Sequence, residues 1–276
     1  MSLADQTFLL TGCASGIGRH LASCLNKQGA RVFATDIDFD TLQQEGATLG
    51  WNTDRIQVRL LDVRDPAQWE RIVAEVVQRW GRLDVLINIA GVSLNAAIHQ
   101  ASVERINLHI DVNTKGTLFG CRFASAQMVE QGGGHIINFA SLSSFVPTPY
   151  MSLYNASKFA VRGFSHAIAE ELAPHKVYVS AVCPDAIDTP MLQHEALEPD
   201  AALNFAGSRI YTVEDIERLI FRRVLPRRPR EVLLAGFLTP LTRLIVAYPG
   251  ITRPLIPIFR RKGAKRQQAY RNSLKK

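Results

Sequence analysis

The stretch Thr11-Gly12-Cys13-Ala14-Ser15-Gly16-Ile17-Gly18 constrains this chain more than any other. A short apolar run over 7–11 leads into it, and a segment of helical spacing over 17–28 leads out. A strand, a glycine turn and a helix in that order bring backbone N–H groups and the positive end of a helix dipole to one point, where a phosphate can bind. Glycine permits the tight turn and the close backbone approach such a ligand needs. Most glycine clusters are plain turns, so the ligand reading rests on the placement between strand and helix. Gly12, Ser15, Gly16, Ile17 and Gly18 are the first candidate cofactor residues.

Strand-like runs recur at 31–36, 56–63, 84–90, 134–141, 177–182 and 231–235. Helix-period segments lie between them, among them 66–80, which opens on Asp65-Pro66 as N-cap and first helical residue, and about 152–172. Strands alternating with helices predict βαβ units. Runs as continuously apolar as VLINIA suit a sheet covered on both faces. The expected fold is α/β, a doubly wound parallel sheet of the Rossmann type with helices on both faces, over residues 1–236. Within it, 185–212 reads as a substrate loop with small helices, and 237–276 forms an apolar and basic C-terminal extension.

Asp36 ends the second strand, eighteen residues after Gly18. A carboxylate there can accept hydrogen bonds from both hydroxyls of an adenosine ribose and would repel a 2′-phosphate. Ile37 and Asp38 follow, rather than Arg or Lys, so NAD(H) is the expected cofactor. The competing role for Asp36 is to cap the next helix.

Further segments carry a resemblance. The pattern TGxxxGIG at 11–18, Tyr154-Asn155-Ala156-Ser157-Lys158, Ser141 thirteen residues before Tyr154, Asn113-Thr114-Lys115-Gly116 and Asn88-Ile89-Ala90-Gly91 together resemble the motifs of the short-chain dehydrogenase/reductase family. Asp62-Val63 and Pro184-Asp185-Ala186-Ile187-Asp188-Thr189 are similar to its adenine and nicotinamide segments. The resemblance spans about residues 5–236. It implies Asn113, Ser141, Tyr154 and Lys158 as catalytic residues. It also implies Asp62, Val63, Asn88, Ala90, Gly91, Tyr154, Lys158, Pro184, Ile187 and Thr189 as cofactor residues. Asn113 would hold a relay water reaching Lys158. Two positions depart from the pattern. Ile89 replaces an Asn and should cost a local hydrogen bond. Asp185 replaces a glycine and should alter loop shape or place negative charge near the nicotinamide.

The chemistry agrees with the residue types. A phenol near pKa 10 is a poor base at neutral pH, and a nearby ammonium lowers it. Tyr154 and Lys158 stand at i and i+4 on one helix face. The expected reaction is hydride transfer between NAD and a secondary alcohol or ketone. The alternative is a dinucleotide-sensing binding protein with a vestigial site. Seven histidines form no HExxH-type pair, so no metal is expected.

Leu94, Leu142, Val146, Tyr150 and Met191 are candidate walls of an apolar substrate site, which favours a small-molecule apolar or lipid-like partner. Residues 222–276 carry fifteen Lys/Arg and one acid, Glu231, in a chain of net charge +7. Such a tail suits an anionic partner. The run from 237 to 259 is apolar but interrupted by Pro240, Pro249, Pro254, Pro257, Arg243 and Arg253, and basic residues follow it. It reads as a peripheral membrane contact, as a tail packed on a partner subunit, or as a cover over its own active site. Nucleic acid is not expected, because no recognised motif accompanies the charge. Scattered Cys13, Cys24, Cys121 and Cys183, and a start without a basic and apolar leader, predict a cytoplasmic protein, with membrane association as the variant. The family resemblance implies a homodimer or homotetramer.

Overall fold

The computed structural model describes residues 3–51, 54–236 and 239–274. Its strands are β1 (Thr7–Thr11), β2 (Arg31–Asp36), β3 (Ile56–Leu60), β4 (Val85–Asn88), β5 (Gly134–Phe139), β6 (Val177–Pro184) and β7 (Glu231–Leu234). All pair in parallel, in the order β3-β2-β1-β4-β5-β6-β7. The order reverses between β1 and β4, and in open sheets of this kind ligands bind beyond the strand carboxyl ends at that reversal.

Successive side chains of β1 go to opposite faces. Phe8 and Leu10 join Val32, Ala34 and Ile87 in one core, against α1 (Gly16–Lys27). Leu9 joins Phe33, Leu86 and Ile136 in the other, against Trp69 and Val76 of α3 (Pro66–Trp80). Both faces are dry, which is why the strands read as unbroken apolar runs rather than alternating ones. Asp65 caps α3 through Ala67 N–H and Gln68 N–H, and Gly81 ends it at φ +79°.

Several strands end earlier than their apolar runs. Leu61–Val63, Ile89–Ala90 and Ala140–Ser141 leave the sheet, because at the carboxyl edge the chain turns out to build a site. A helix absent from the sequence reading, α2 (Phe39–Thr48), follows β2 and is capped by Asp38, whose carboxylate accepts from Thr41 N–H. Asp36 is thereby released from the capping role. The segment after β4 contains α4 (Val103–Leu108), a π-helical stretch (His109–Lys115) and α5 (Gly116–Glu130). The helix α6 spans Ser152–Leu172, as expected. Beyond β6 come α7 (Pro190–Leu197), a 3₁₀ segment (Pro199–Phe205), α8 (Val213–Leu219) and short α9 (Leu225–Arg227).

Phe237 and Leu238, at the start of the apolar extension, lie outside the described residues. The rest of that segment is more regular than its prolines suggest. It forms α10 (Thr239–Ala247) and α11 (Thr252–Ser273). Pro240 and Pro254 fall in first turns, where no intrahelical donor is lost, and only Pro257 interrupts the ladder. Of the three readings of the tail, the structure shows a cover over its own site: Leu241, Ile245, Leu255, Ile256 and Phe259 line the main cavity.

Candidate active site

The glycine turn makes a cradle that side chains would fill. At Gly12, φ +72°, a Cβ would come within 3.0 Å of the Ala90 backbone. At Gly18 it would meet the Gly12 carbonyl at 2.0 Å. Ser15, the N-cap of α1, is exposed and makes no side-chain cap bond, so the helix N-terminus keeps donors available. Thr35 Oγ1 donates to Leu10 O (2.8 Å) and Cys13 N–H to Thr35 O (3.1 Å), which fixes the turn to β2. Thr11 Oγ1 accepts from Ile89 N–H (3.0 Å) and Ala90 N–H (3.1 Å), which fixes the β4 loop beside it.

Asp36 accepts from Ala14 N–H (2.8 Å) and Asp38 N–H (3.0 Å). A carboxylate offers about four acceptor sites, so two remain for ribose hydroxyls. Asp62 holds Arg64 as a two-point ion pair, and that guanidinium keeps its carboxyl below the usual range. Val63 is buried against Gly116, and its carbonyl accepts from Trp69 Nε1 (3.0 Å). The glycine turn, Asp36, Ala90 and Gly91 leave room and donors or acceptors for a dinucleotide, whereas the Asp62 carboxylate and the Val63 carbonyl already have partners within the chain.

Asn88 lies elsewhere. Its side chain is buried behind the sheet, where Nδ2 donates to Asn138 Oδ1 (2.9 Å), and Asn138 Nδ2 donates in turn to Ser165 Oγ (2.9 Å). It ties β4 to β5 and α6, so it shapes the loop without its side chain entering the cavity. Its neighbour Ile89 packs at the cavity edge instead.

The helix α6 carries Tyr154 and Lys158 to the carboxyl ends of β5 and β6. Lys158 Nζ is buried, donates to Phe139 O (2.9 Å), and stands 5.7 Å from the Tyr154 ring centre. Burial pushes its ammonium down to about 8. Burial also holds the Tyr154 phenol well above its ordinary value. The Glu195 carboxylate adds to this, and the neighbouring Ser141 hydroxyl works against it. Ser141 caps the 3₁₀ turn Leu142–Ser144 by accepting from Ser143 N–H (3.1 Å). Ser141, Tyr154, Lys158, Pro184, Ile187 and Thr189 share one cavity of about 260 Å³. Thr189 packs over Gly16, so the loop after β6 meets the glycine turn directly.

Asn113 sits in the π-helical stretch, a conformation common at functional sites. Its side-chain amide clamps Val92 at both ends: Oδ1 accepts from Val92 N–H (2.7 Å) and Nδ2 donates to Val92 O (2.9 Å). Nδ2 also donates to Ser157 Oγ (3.0 Å), joining the β4 loop to α6. A Cβ at Gly91 would lie 3.1 Å from Asn113 Oδ1 and 3.5 Å from Lys158 Nζ, so those two groups face one another across Gly91.

Among the wall candidates, Leu142, Val146 and Met191 line the cavity. Leu94 and Tyr150 do not. Leu94 is held by its N–H donating to His109 Nε2 (3.1 Å), and Tyr150 turns at φ +68° so that its ring lies under Arg260. The sequence reading missed Glu195. This buried carboxylate on α7 lines the cavity, accepts from Ser93 Oγ (2.6 Å) and from Asn204 Nδ2 (2.7 Å), and so locks the lid to the β4 loop. No motif marks it; its role exists only in the folded chain. Away from the cavity, His20, Cys24 and Glu217 bring three ligand-type atoms within 4.8 Å of one another, between α1 and α8.

The fold, the glycine cradle and the Ser-Tyr-Lys group define a nucleotide-binding oxidoreductase site, and the family model for short chain dehydrogenases matches residues 6–200. The chain belongs to that family, whose members bind a nicotinamide dinucleotide, and it is an oxidoreductase of it. It is 35% identical over 192 residues to an uncharacterized oxidoreductase of Staphylococcus saprophyticus, covering 69% of this chain and 82% of that one. A Staphylococcus aureus relative, also an uncharacterized oxidoreductase, is 35% identical over 187 residues (68% and 80%). Among solved structures, ElxO with NADP bound superposes with TM-score 0.76 at 28% identity, covering 85% of this chain and 99% of that one. Levodione reductase (0.77, 24% identity, 86% and 98%) and a short-chain type dehydrogenase/reductase from Mycobacterium ulcerans (0.76, 24%, 89% and 97%) share the fold.

Proposed function

We propose that this protein transfers hydride between NAD(H) and a secondary alcohol or ketone of apolar, lipid-like character. The observation that carries the reading is the meeting of Ser141, Tyr154 and Lys158 in a largely apolar cavity that reaches the glycine turn. Asp36, followed by Ile37 and Asp38 rather than Arg or Lys, supports NAD(H) over NADP(H).

A bound nicotinamide dinucleotide supplies the hydride donor or acceptor and, when oxidised, a positive ring. The chain supplies the proton path. In reduction the Tyr154 phenol gives its proton to the substrate oxygen as negative charge develops there. In oxidation the Tyr154 phenolate takes the alcohol proton, and the Lys158 ammonium stabilises that phenolate. Ser141 donates to the substrate oxygen and orients it. Lys158 spends one of its three donors on Phe139 O and can offer the others to the nicotinamide ribose. Asn113 positions the β4 loop against α6 and faces Lys158.

The test is titration of NADH and NADPH separately into the protein, followed by turnover on apolar alcohols and ketones. NADH binds more tightly, and Asp36→Ala erases the preference. Tyr154→Phe lowers kcat by about 10²–10⁴ while dinucleotide affinity stays within a few-fold. Preference for NADPH overturns the cofactor assignment. Full turnover by Tyr154→Phe overturns the mechanism. Binding without turnover on any carbonyl or alcohol would point to a dinucleotide-sensing role.

A further inference from the structure

The helices α10 and α11 and the turn between them carry apolar residues both over the cavity and on their exposed side. Inward, Leu241, Ile245, Leu255, Ile256 and Phe259 roof the cavity. Away from the cavity, Leu244 (46%) and Val246 (45%) stand exposed on the two flanks of α10, Tyr248 (64%) just beyond it and Ile258 (66%) on α11. A surface helix in water ordinarily keeps its second face polar, and grouped exposed apolar residues mark an interaction surface. Exposed Arg243, Arg253 and Arg261 accompany the outer apolar residues in sequence, and 239–274 carries eight Lys/Arg and no Asp or Glu.

We propose that the outer face of α10 and α11 docks on an anionic bilayer surface, and that the cavity beneath it takes its substrate from that bilayer. The uptake half rests on the apolar-substrate reading above; the docking half does not. The mode is surface binding: among the described residues no helix is long and apolar enough to cross a membrane. Aliphatic and aromatic residues with arginines beside them match the acyl and headgroup layers respectively. A second copy fits less well, because a two-fold contact through this face would set Arg243, Arg253 and Arg261 against their own equivalents. A nucleic acid would meet Leu244, Val246 and Ile258 with nothing to pair.

The experiment uses the full chain with neither dinucleotide nor substrate present. It is sedimented with phosphatidylcholine vesicles and with vesicles also containing phosphatidylglycerol, at low and high salt. Binding to the anionic vesicles is expected, weakened at least about tenfold by high salt or by neutral lipid. Leu244→Asp/Ile258→Asp should lose at least about tenfold on both lipids. Arg253→Glu/Arg261→Glu should lose the anionic preference, about fivefold per residue. Turnover of a short water-soluble alcohol should stay within about twofold of wild type in both variants, whereas turnover of a long-chain alcohol supplied in vesicles falls with vesicle binding.

Absence of vesicle binding by the intact chain would overturn the proposal, as would equal binding by the apolar-face variant. A dimer dispersed by these substitutions, without vesicle binding, would assign the face to a second copy and overturn it as well. Equal loss on the soluble and the vesicle-borne alcohol would overturn uptake. Vesicle binding without any turnover would count against the oxidoreductase chemistry proposed above and leave docking standing. Turnover without vesicle binding would do the reverse.

Discussion

Asp185 places a carboxylate where the family pattern has glycine, and its side chain reaches Gly207 so closely that a Cβ there would come within 2.1 Å of its Oδ2. Burial pushes its carboxyl up from 3.8 to about 6, against the bond from Ala186 N–H and the pull of Arg266 and Lys262. A carboxyl whose folded pKa is raised binds its proton more tightly in the native state. The contribution of Asp185 to stability is therefore fully present below the unfolded value and is lost as pH rises from 3.8 through about 6. Asp185→Asn should stabilise the protein at pH 7 by about 1–2 kcal/mol and give no gain near pH 3. Urea denaturation at the two pH values reads this directly, and a variant less stable than wild type at pH 7 would refute it. The motif residues were legible because their chemistry restricts residue type: only glycine fits at Gly12 and Gly18, and only a phenol beside an ammonium does the proton work. Asn88 was legible as a motif member but not in its direction, since the two faces of a sheet buried on both sides look alike in sequence. Glu195 was not legible at all, because Ser93 and Asn204 become its partners only after α7 folds over the β4 loop.

At the scale of elements, the lid is joined to the C-terminal helix by backbone carbonyls. Gln267 of α11 is buried, and its Nε2 lies within bonding distance of Glu195 O (3.3 Å), Ala196 O (3.2 Å) and Glu198 O (2.7 Å). Arg271 Nε donates to Ala196 O as well (3.0 Å). These carbonyls lie at and just past the end of α7, where a helix leaves carbonyls to be satisfied from outside. Gln267→Ala should cost about 1 kcal/mol, the net worth of the bonds lost, because each carbonyl keeps a second donor: Glu198 N–H on Glu195 O, Arg271 on Ala196 O and Ala201 N–H on Glu198 O. Since α7 carries Glu195 and Met191 at the cavity, KM should rise more than kcat falls. A thermal melt with steady-state kinetics checks both, and an unchanged melting temperature would show that the lid holds itself. This joint was hidden in the sequence by the prolines, which suggested an interrupted segment. Pattern reading counts prolines, whereas the backbone cares where in a helix they fall. The strands and α6 were legible to within a few residues because their apolar runs face two dry cores.

Across the whole molecule, the charge imbalance has a local explanation. The basic tail lies on the acidic lid: Arg260 reaches Asp200 (3.6 Å), the Tyr270 hydroxyl bonds to Asp188, and Lys262 and Arg266 both donate to Gly207 O beside Asp185. Packing at Gly263 is close enough that a Cβ would overlap the Ala202 carbonyl. Two features without a counterpart in the family pattern, Asp185 and the tail, thus meet at one place. This arrangement has a consequence for how the protein comes into being. Translation delivers β7 before α10 and α11, so every strand can be in place while the enclosure does not yet exist. A newly made chain passes through a stage in which the nucleotide cleft is complete and the neighbouring hollow stands open to water. During that interval its greasiest surface is bare, and helices made after the sheet are the ones that close it.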